Sequence, residues 1–317
     1  MIKIKIKEND EGQRIDRFLL KYMDKASKGF IQKMIRKKRI KLNFKRVYPE
    51  TIVKLNDEIQ LYLAEETINK FKSNIKKVKS NIKLDIIYED NNIILINKKK
   101  GEVSHSNIKD ELGISNALIK YLIEKDEYNP EIENTFTPAI SNRLDRNTSG
   151  IIIASKNYNA LKTINKAIKE RNIDKYYKAL VYGKINKEII LKDYLIKENK
   201  NNKVKIFKEN VLNSKEIITK IKPIEFNENY SLLEIELITG RTHQIRAHLN
   251  YIGHPVVGDK KYGKKYGEDF NLKSQFLFAY KIVFNNLEND LEYLNGMTFE
   301  IPLESNYKDI ISRLFNN

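Results

Sequence analysis

Cysteine is absent from this 317-residue chain, and histidine occurs only four times. The first absence excludes disulfide frameworks, cysteine-rich zinc sites and thiol nucleophiles; it fits a reducing compartment, with the cytoplasm as the expectation. The second leaves little material for a metal cluster, since His243 and His248 are five apart, off the spacing of a zinc-binding H-E-x-x-H helix. No apolar run approaches the ~18 residues of a membrane span. Neither G-x-x-x-x-G-K-[ST] nor G-x-G-x-x-G occurs in a strand-loop-helix setting, which argues against nucleotide cofactors. The carboxylate cluster of a two-metal nuclease is also missing, because Asp145 is the only acidic residue between Thr135 and Glu170. The N-terminal "MIKIKIKEND" alternates apolar and charged residues, so it reads as a strand and not as a cleaved leader.

What the chain does have is positive charge. Lys and Arg number 59 against 42 Asp and Glu, a net charge of +17, and such a surplus favours a polyanionic partner through phosphate neutralisation and counterion release. A chain rich in Lys, Ile and Asn acquires charge by composition alone, and charge runs are ordinarily solvated faces. Composition does not predict concentration, however. Residues 1–63 hold 17 Lys/Arg and 8 Asp/Glu, more than half of the surplus.

Length allows about two domains at roughly 100 to 200 residues each. Residues 64–83, "AEETINKFKSNIKKVKSNIK", have scattered apolar positions and many lysines, and they read as a basic linker between a small module, 1–63, and a catalytic-sized part, 84–317. In the module, "RIDRFLLKYM" sets Ile15, Phe18, Leu19 and Tyr22 at helical spacing. A second helix, "KGFIQKMIRKKRI", turns Ile31, Met34 and Ile35 inward and Lys33, Arg36, Lys37, Lys38 and Arg39 outward. "IKLNFKRV" and "DEIQLYL" then alternate as strands. In the larger part "LDIIYEDNNIILINK" reads as a hairpin, "SNALIKYLIEK" and "KNYNALKTINKAIKER" as helices, and "KYYKALVYG" and "YSLLEIELITG" as strands. Strand runs grouped with few helices predict an α+β fold on a mixed, largely antiparallel sheet.

Two stretches bear chemistry. In "SNRLDRNTSGIIIASK", residues 141–156, Asp145 sits between two arginines ahead of an apolar run. An Asp followed by Arg, Asn, Thr, Ser and Gly has the composition of a turn or cap. On local grounds that is the first reading, and the arginines on either side with the buried strand that follows add a second, a carboxylate fixed at the entrance of a core element. In "TGRTHQIRAHL", residues 239–249, a strand feeds a helix start bearing Arg241, Thr242, His243 and Gln244, with Arg246 a turn further in; arginines at a helix start bind phosphate or carboxylate, or form a solvated basic end. Tyr177 shares a strand face with Ala179 and Val181, where a ring is either core or a platform for a base.

The first module resembles the small RNA-binding domain named after ribosomal small-subunit protein S-four, from Arg14-Ile15-Asp16-Arg17-Phe18-Leu19 through the Ser27 to Ile35 helix to Asn43 and the Asn56-Asp57 turn. It departs where that family usually has a glycine and this chain has Arg39. The resemblance makes Arg14, Arg17, Lys33, Arg36, Lys37, Lys38, Arg39 and Asn43 candidate RNA contacts. Residues 84–285, through "NRLDRNTSGIIIASK", "KYYKALVYG", "ITGRTHQIRAHL" and "GHPVVGDKKYG", resemble the ribosomal large-subunit pseudouridine synthases, which carry an R-L-D-x-x-T-S-G signature. The resemblance implies conversion of uridine to pseudouridine in RNA without cofactor or metal. It makes Asp145 the catalytic aspartate, Tyr177 the residue that stacks on the target base and acts as a base, and Arg246 the partner of Asp145. Arg143, Arg146, Arg241 and His243 become contacts to RNA. It implies large-subunit ribosomal RNA as substrate, with transfer RNA the alternative, no membrane, and a monomer. A non-catalytic ribosome-assembly protein of the same fold is the rival from another class, and its signature would be a substitution at Asp145. The family often has histidine at Asn142 and a K-P pair at Lys98-Lys99; both departures concern the surroundings of the aspartate.

Overall fold

A computed structural model describes residues 1–73, 78–105, 112–198, 203–263 and 269–315. The described residues build two sheets, each with its own apolar core. The first core belongs to the N-terminal module. Strands β1 (Ile2–Lys5), β2 (Ile40–Leu42), β3 (Lys45–Arg46) and β4 (Glu58–Leu61) pair in the order β1-β4-β2-β3. Helices α1 (Ile15–Tyr22) and α2 (Lys28–Arg36) lay Ile15, Phe18, Leu19, Ile31 and Ile35 against the inward residues of that sheet, as their spacing predicts. Ser27 caps α2, its hydroxyl accepting from the Phe30 N–H at 3.2 Å.

The far end of α2 resolves the departure from the glycine pattern. The residue in the left-handed region is Lys38, with φ 59°, and not Arg39. Arg39 N donates to Met34 O at 3.0 Å and Lys38 N to Ile35 O at 2.9 Å, the paired bonds of a Schellman stop. A lysine there costs about 1 kcal/mol relative to glycine, which the two bonds offset.

The linker expectation is corrected over its first half. Residues Glu65–Phe71 form a helix, α3, whose buried Ile68 joins the N-terminal core and whose Phe71 ring packs on Phe30 at 4.5 Å between centroids. Two apolar contacts suffice to dock seven residues on an existing core, and they leave too short a stripe to register as periodicity. Residues 74–77 of the expected linker lie outside the described residues.

The second sheet is mixed and largely antiparallel, as expected. Its strands are β5 (Ile86–Glu89), β6 (Ile93–Lys98), β7 (Ala139–Ile140), β8 (Ser149–Ser155), β9 (Ile173–Tyr182), β10 (Ile189–Lys197), β11 (Val204–Phe207), β12 (Lys215–Phe226), β13 (Tyr230–Leu237), β14 (Leu277–Phe284) and β15 (Thr298–Glu300). The main path runs β11-β10-β12-β13-β9-β14-β8-β6-β5, with β15 on β14 and β7 on β8. Among the described residues, only the β8–β14 pairing is parallel. Helices α4 (Ile114–Glu124), α5 (Tyr158–Glu170), α6 (Gln244–Tyr251) and α7 (Ser305–Phe315) accompany it. All seven residues of β8 are buried, which its unbroken "SGIIIAS" composition anticipates.

Register at the centre of this sheet positions the site. Ala279 of β14 pairs with Gly150 on one side and with Tyr177 on the other. Gly150 has φ 126°, and a Cβ on it would lie 2.1 Å from the Ala279 carbonyl oxygen, so only glycine permits the close approach. The turn ahead of β8 and the tyrosine of β9 are thereby fixed two strands apart, about 10 Å by strand spacing.

The module is joined to the larger part by a polar seam. The buried Asp10 carboxylate accepts from Asn134 Nδ2 at 2.6 Å and Thr135 Oγ1 at 2.8 Å. Asn9 accepts from the Tyr158 N–H at the start of α5 at 3.0 Å, and Lys7 donates to the Ile132 carbonyl at 2.7 Å.

Candidate active site

Asp145 is in a turn, closed by Thr148 N donating to Asp145 O at 3.0 Å. The turn is clamped through its backbone on both sides of the aspartate. Ser104 Oγ accepts from Leu144 N at 3.1 Å and donates to Leu144 O at 3.0 Å. On the other side Arg146 O accepts from Gly101 N at 2.9 Å and from Lys98 Nζ at 3.0 Å. Lys98 is wholly buried and donates also to the carbonyls of Lys99 and Glu102; burial pushes its ammonium down to about 8. Asn142, where the family often has histidine, is accounted for. Its side chain donates to Ile151 O at 3.2 Å and accepts from Ile153 N at 2.7 Å, binding the approach to the turn along β8 as another strand would.

The carboxylate so held meets Arg246 of α6, Nη1 to Oδ2, at 2.8 Å. Arg246 is itself gripped from behind by a second carboxylate, Asp259, through Nε at 2.7 Å and Nη2 at 2.8 Å, a bidentate fork that sets the guanidinium plane. Burial works against the charge on Arg246, but the hydrogen bonds and charge of Asp259, with the charge of Asp145, raise its pKa above the ordinary arginine value. Burial alone would raise Asp259; Arg246 and the N–H groups of Lys261 and Tyr262 hold it below the usual carboxylate range. Gln244 fixes the start of α6 by spending its amide fully, accepting from Thr239 Oγ1 and Arg241 N and donating to Ile218 O and Thr219 Oγ1. The helix begins at Gln244, so Arg241, Thr242 and His243 stand in the turn before it and not in its first turn, and His243 adopts φ 53°.

His243 Nε2 is 3.9 Å from Asp145 Oδ1, and its Nδ1 is 3.1 Å from the Tyr262 hydroxyl. Burial lowers its pKa, with the charge of Asp145 opposing. Tyr177 is 5% exposed. Burial, then the charge of Asp145, push its phenol up, so the ring enters the site protonated. Around these groups opens a cleft of about 1090 Å³. Among the described residues lining it Asp145 is the sole acid, whereas Arg143, Arg146, Arg171, Arg241, Lys169, Lys175, Lys197, Lys260, Lys261 and Lys273 line it together with Arg246. One carboxylate in a basic cleft, beside a buried ring and with no acidic neighbour at its mouth, is built for a polyanion that presents a reactive centre to that carboxylate.

Comparison with known proteins agrees with this geometry. A family model described as RNA pseudouridylate synthase matches residues 92–251, and one for the S4 domain matches residues 13–59. An uncharacterized RNA pseudouridine synthase of Mycoplasma capricolum subsp. capricolum is 34% identical over 93% of this chain and 96% of its own. The chain belongs to the RNA pseudouridylate synthase family. A ribosomal large subunit pseudouridine synthase C of Vibrio parahaemolyticus is 30% identical over 97% of this chain and 95% of its own. Among solved structures, human RNA pseudouridylate synthase domain containing 4 shares the fold with a TM-score of 0.57 at 19% identity, covering 72% of this chain and 92% of that one.

The synthase fold gathers Asp145, Tyr177, Arg246, Arg143, Arg146, Arg241 and His243 into one cleft. The eight module residues expected to touch RNA do not line it, and they divide. Arg17, Lys33, Arg36, Lys37 and Arg39 are exposed. Arg14 is turned back on Asp16 in a fork of 3.0 and 2.9 Å, and Lys38 carries the α2 stop. Asn43, with φ 50°, spends its amide within the fold, donating to Asp57 and accepting from Glu58 N; its side chain has a structural task. Sequence reasoning assigned nothing to Asp259, Ser104 or Tyr262. Asp259 lies within the quoted "GHPVVGDKKYG", but thirteen residues and a helix end separate it from Arg246, beyond any local pairing rule. The wall lysines 169, 197, 260, 261 and 273 carried no signal beyond their charge.

Proposed function

We propose that this enzyme isomerises uridines of large-subunit ribosomal RNA to pseudouridine, with Asp145 as the catalytic group and no cofactor or metal. The observation that carries the reading is the chain Asp145–Arg246–Asp259: a carboxylate aimed into a basic cleft by a guanidinium that is itself held in plane. The reaction breaks the N1–C1′ bond, turns the uracil while it is held, and joins C5 to C1′; the C5 proton is lost and N1 regains one. Leaving group and nucleophile are the same base, so the site needs to hold a charged intermediate in place and requires no redox or hydrolytic apparatus. The Asp145 carboxylate serves at the sugar, and Tyr177, its phenol held protonated by burial and by the charge of Asp145, offers its ring as the platform on which the base turns and not the base that the resemblance implies. Arg143, Arg146, Arg241 and His243 hold the flanking strand. The target uridine leaves its stack to enter, which costs least in loops and junctions.

The substrate class rests on relatives named as ribosomal large-subunit synthases along nearly the whole chain and on the basic N-terminal module, which adds reach on a large structured RNA. In this reading residues 1–63 are the RNA-binding domain and 84–317 the catalytic domain. The test is tritium release from RNA labelled at uracil C5. Asp145→Asn should release none while still binding RNA, and appreciable release by that variant would overturn the assignment; pseudouridine mapping of ribosomal and transfer RNA in cells lacking the gene identifies the substrate.

A further inference from the structure

The N-terminal module carries a second feature suited to RNA, away from the catalytic cleft. Gln32 and Arg36 are one turn apart on α2 and project from the same face. The chain leaving β3 folds back against that face through Tyr48 and Pro49, anchored by the buried Val47. Together with Arg46 these side chains border a depression of about 130 Å³. Tyr48 is 55% exposed, and the Arg46 guanidinium lies over its ring at 5.3 Å from the centroid.

A single exposed tyrosine is ordinary on a protein surface, but here three further things converge on it. The ring stands on a pinned turn: Tyr48 N donates to Thr51 Oγ1 at 3.2 Å, Thr51 N donates back to Tyr48 O at 3.0 Å, and Asp16 N at the start of α1 donates to Pro49 O at 3.2 Å. Little freedom is therefore lost when something stacks there. Among the described residues, no protein group engages the Gln32 amide or the Arg36 guanidinium, and no acidic residue lines the depression. Finally, the combination of an aromatic face, two guanidiniums and one amide matches the three parts of a nucleotide: a ring to stack on, a phosphate to neutralise and a base edge to bond.

We propose that this depression takes one unpaired nucleotide of the RNA substrate, its base stacked on Tyr48 beside Arg46, its phosphate held by Arg36 and its edge bonded by Gln32. The inference rests on the reading of the substrate as RNA, and it adds a requirement to it: besides the target uridine, the RNA must present a second single-stranded residue to the module.

The test uses the full chain with a fluorescein-labelled oligouridylate, an abasic ribose-phosphate oligomer of the same length, and an oligouridylate carrying 5-iodouridine for photocrosslinking. Tyr48→Ala should weaken binding of the oligouridylate roughly ten-fold, leave the abasic oligomer unaffected, and keep the salt dependence, while Tyr48→Phe stays within about two-fold of wild type. Arg36→Gln should weaken both ligands and reduce the salt slope by about one. Crosslinked peptides should include the one containing Tyr48. Equal binding of the oligouridylate by wild type and Tyr48→Ala, or an equal loss on the abasic oligomer, overturns the proposal. Crosslinks at Tyr177 without any at Tyr48 overturn it while leaving the RNA reading intact, and failure of the wild-type chain to bind the oligouridylate overturns it as well, the RNA reading being decided separately by tritium release from labelled RNA.

Discussion

The N-terminal module and the catalytic cleft carry charge of the same sign and use it in opposite ways. At α2, Lys33 and Lys37 project into water, where a charge can add to the pull on a polyanion without being held in one geometry. In the cleft Arg246 is buried between two carboxylates, and it fixes where Asp145 stands. Exposed charge supplies affinity that salt can screen; buried, forked charge supplies orientation that salt does not reach. The seam at Asp10 joins the two regimes in one molecule.

The comparison breaks first at Asp145. Asp145→Asn should lower turnover by roughly 10⁴-fold or more in the tritium-release assay at any salt concentration, whereas losses on α2 should be recoverable by lowering the salt. Next in size is Asp259, which touches Arg246 and does not line the cleft. Asp259→Ala leaves the guanidinium held on one side only, and should destabilise the fold by about 3 kcal/mol in denaturant unfolding. The milder Asp259→Asn keeps the volume and should cost turnover about 10²-fold through misorientation of Arg246, with RNA affinity nearly retained; a loss confined to affinity would show Asp259 to be part of the binding surface instead.

On the exposed side, the triple variant Arg17→Gln, Lys33→Gln, Lys37→Gln should reduce the slope of log affinity against log salt by about 2 to 3. An unchanged slope would remove these residues from the phosphate contacts. The smallest effect concerns Lys98, charged, buried and beside neither carboxylate's fork. Its native pKa, about 8, lies below the value of an unfolded lysine, so between pH 8 and roughly 10.5 the unfolded chain binds more protons and stability gains as pH rises. Wild type should therefore gain about 1 kcal/mol over Lys98→Met between pH 7 and pH 9, measured by urea unfolding at each pH. A constant difference would mean that Lys98 titrates normally.

Local pattern made much of this protein legible. The helices of the module, the hairpin at Asp90, the buried strand after Asp145 and the alternation of β9 follow from spacing, because each is stabilised by burying one face. α3 escaped because two apolar residues are enough to dock a short helix on a core that other segments have already built. The aspartate proposed as catalytic was legible only in company: by itself Asp145 is a turn residue, and the structure keeps it as one. Asn43 and Arg14 make bonds within the fold that their place in a basic segment does not announce, Asn43 to Glu58 and Asp57 and Arg14 to Asp16.

By itself the sequence determined the class of fold, the sign and clustering of charge, and the family strings that single out Asp145, Tyr177 and Arg246. These depend on residue type and near-neighbour spacing, which are written along the chain. Only the tertiary structure decided that Asp259 stands behind Arg246, that Gly150 is required by the carbonyl of Ala279, that Lys98 and Ser104 clamp the Asp145 turn, and that Asn142 takes the place of a strand. Each is a contact between segments remote in sequence, created by strand order and register, and no local preference encodes it.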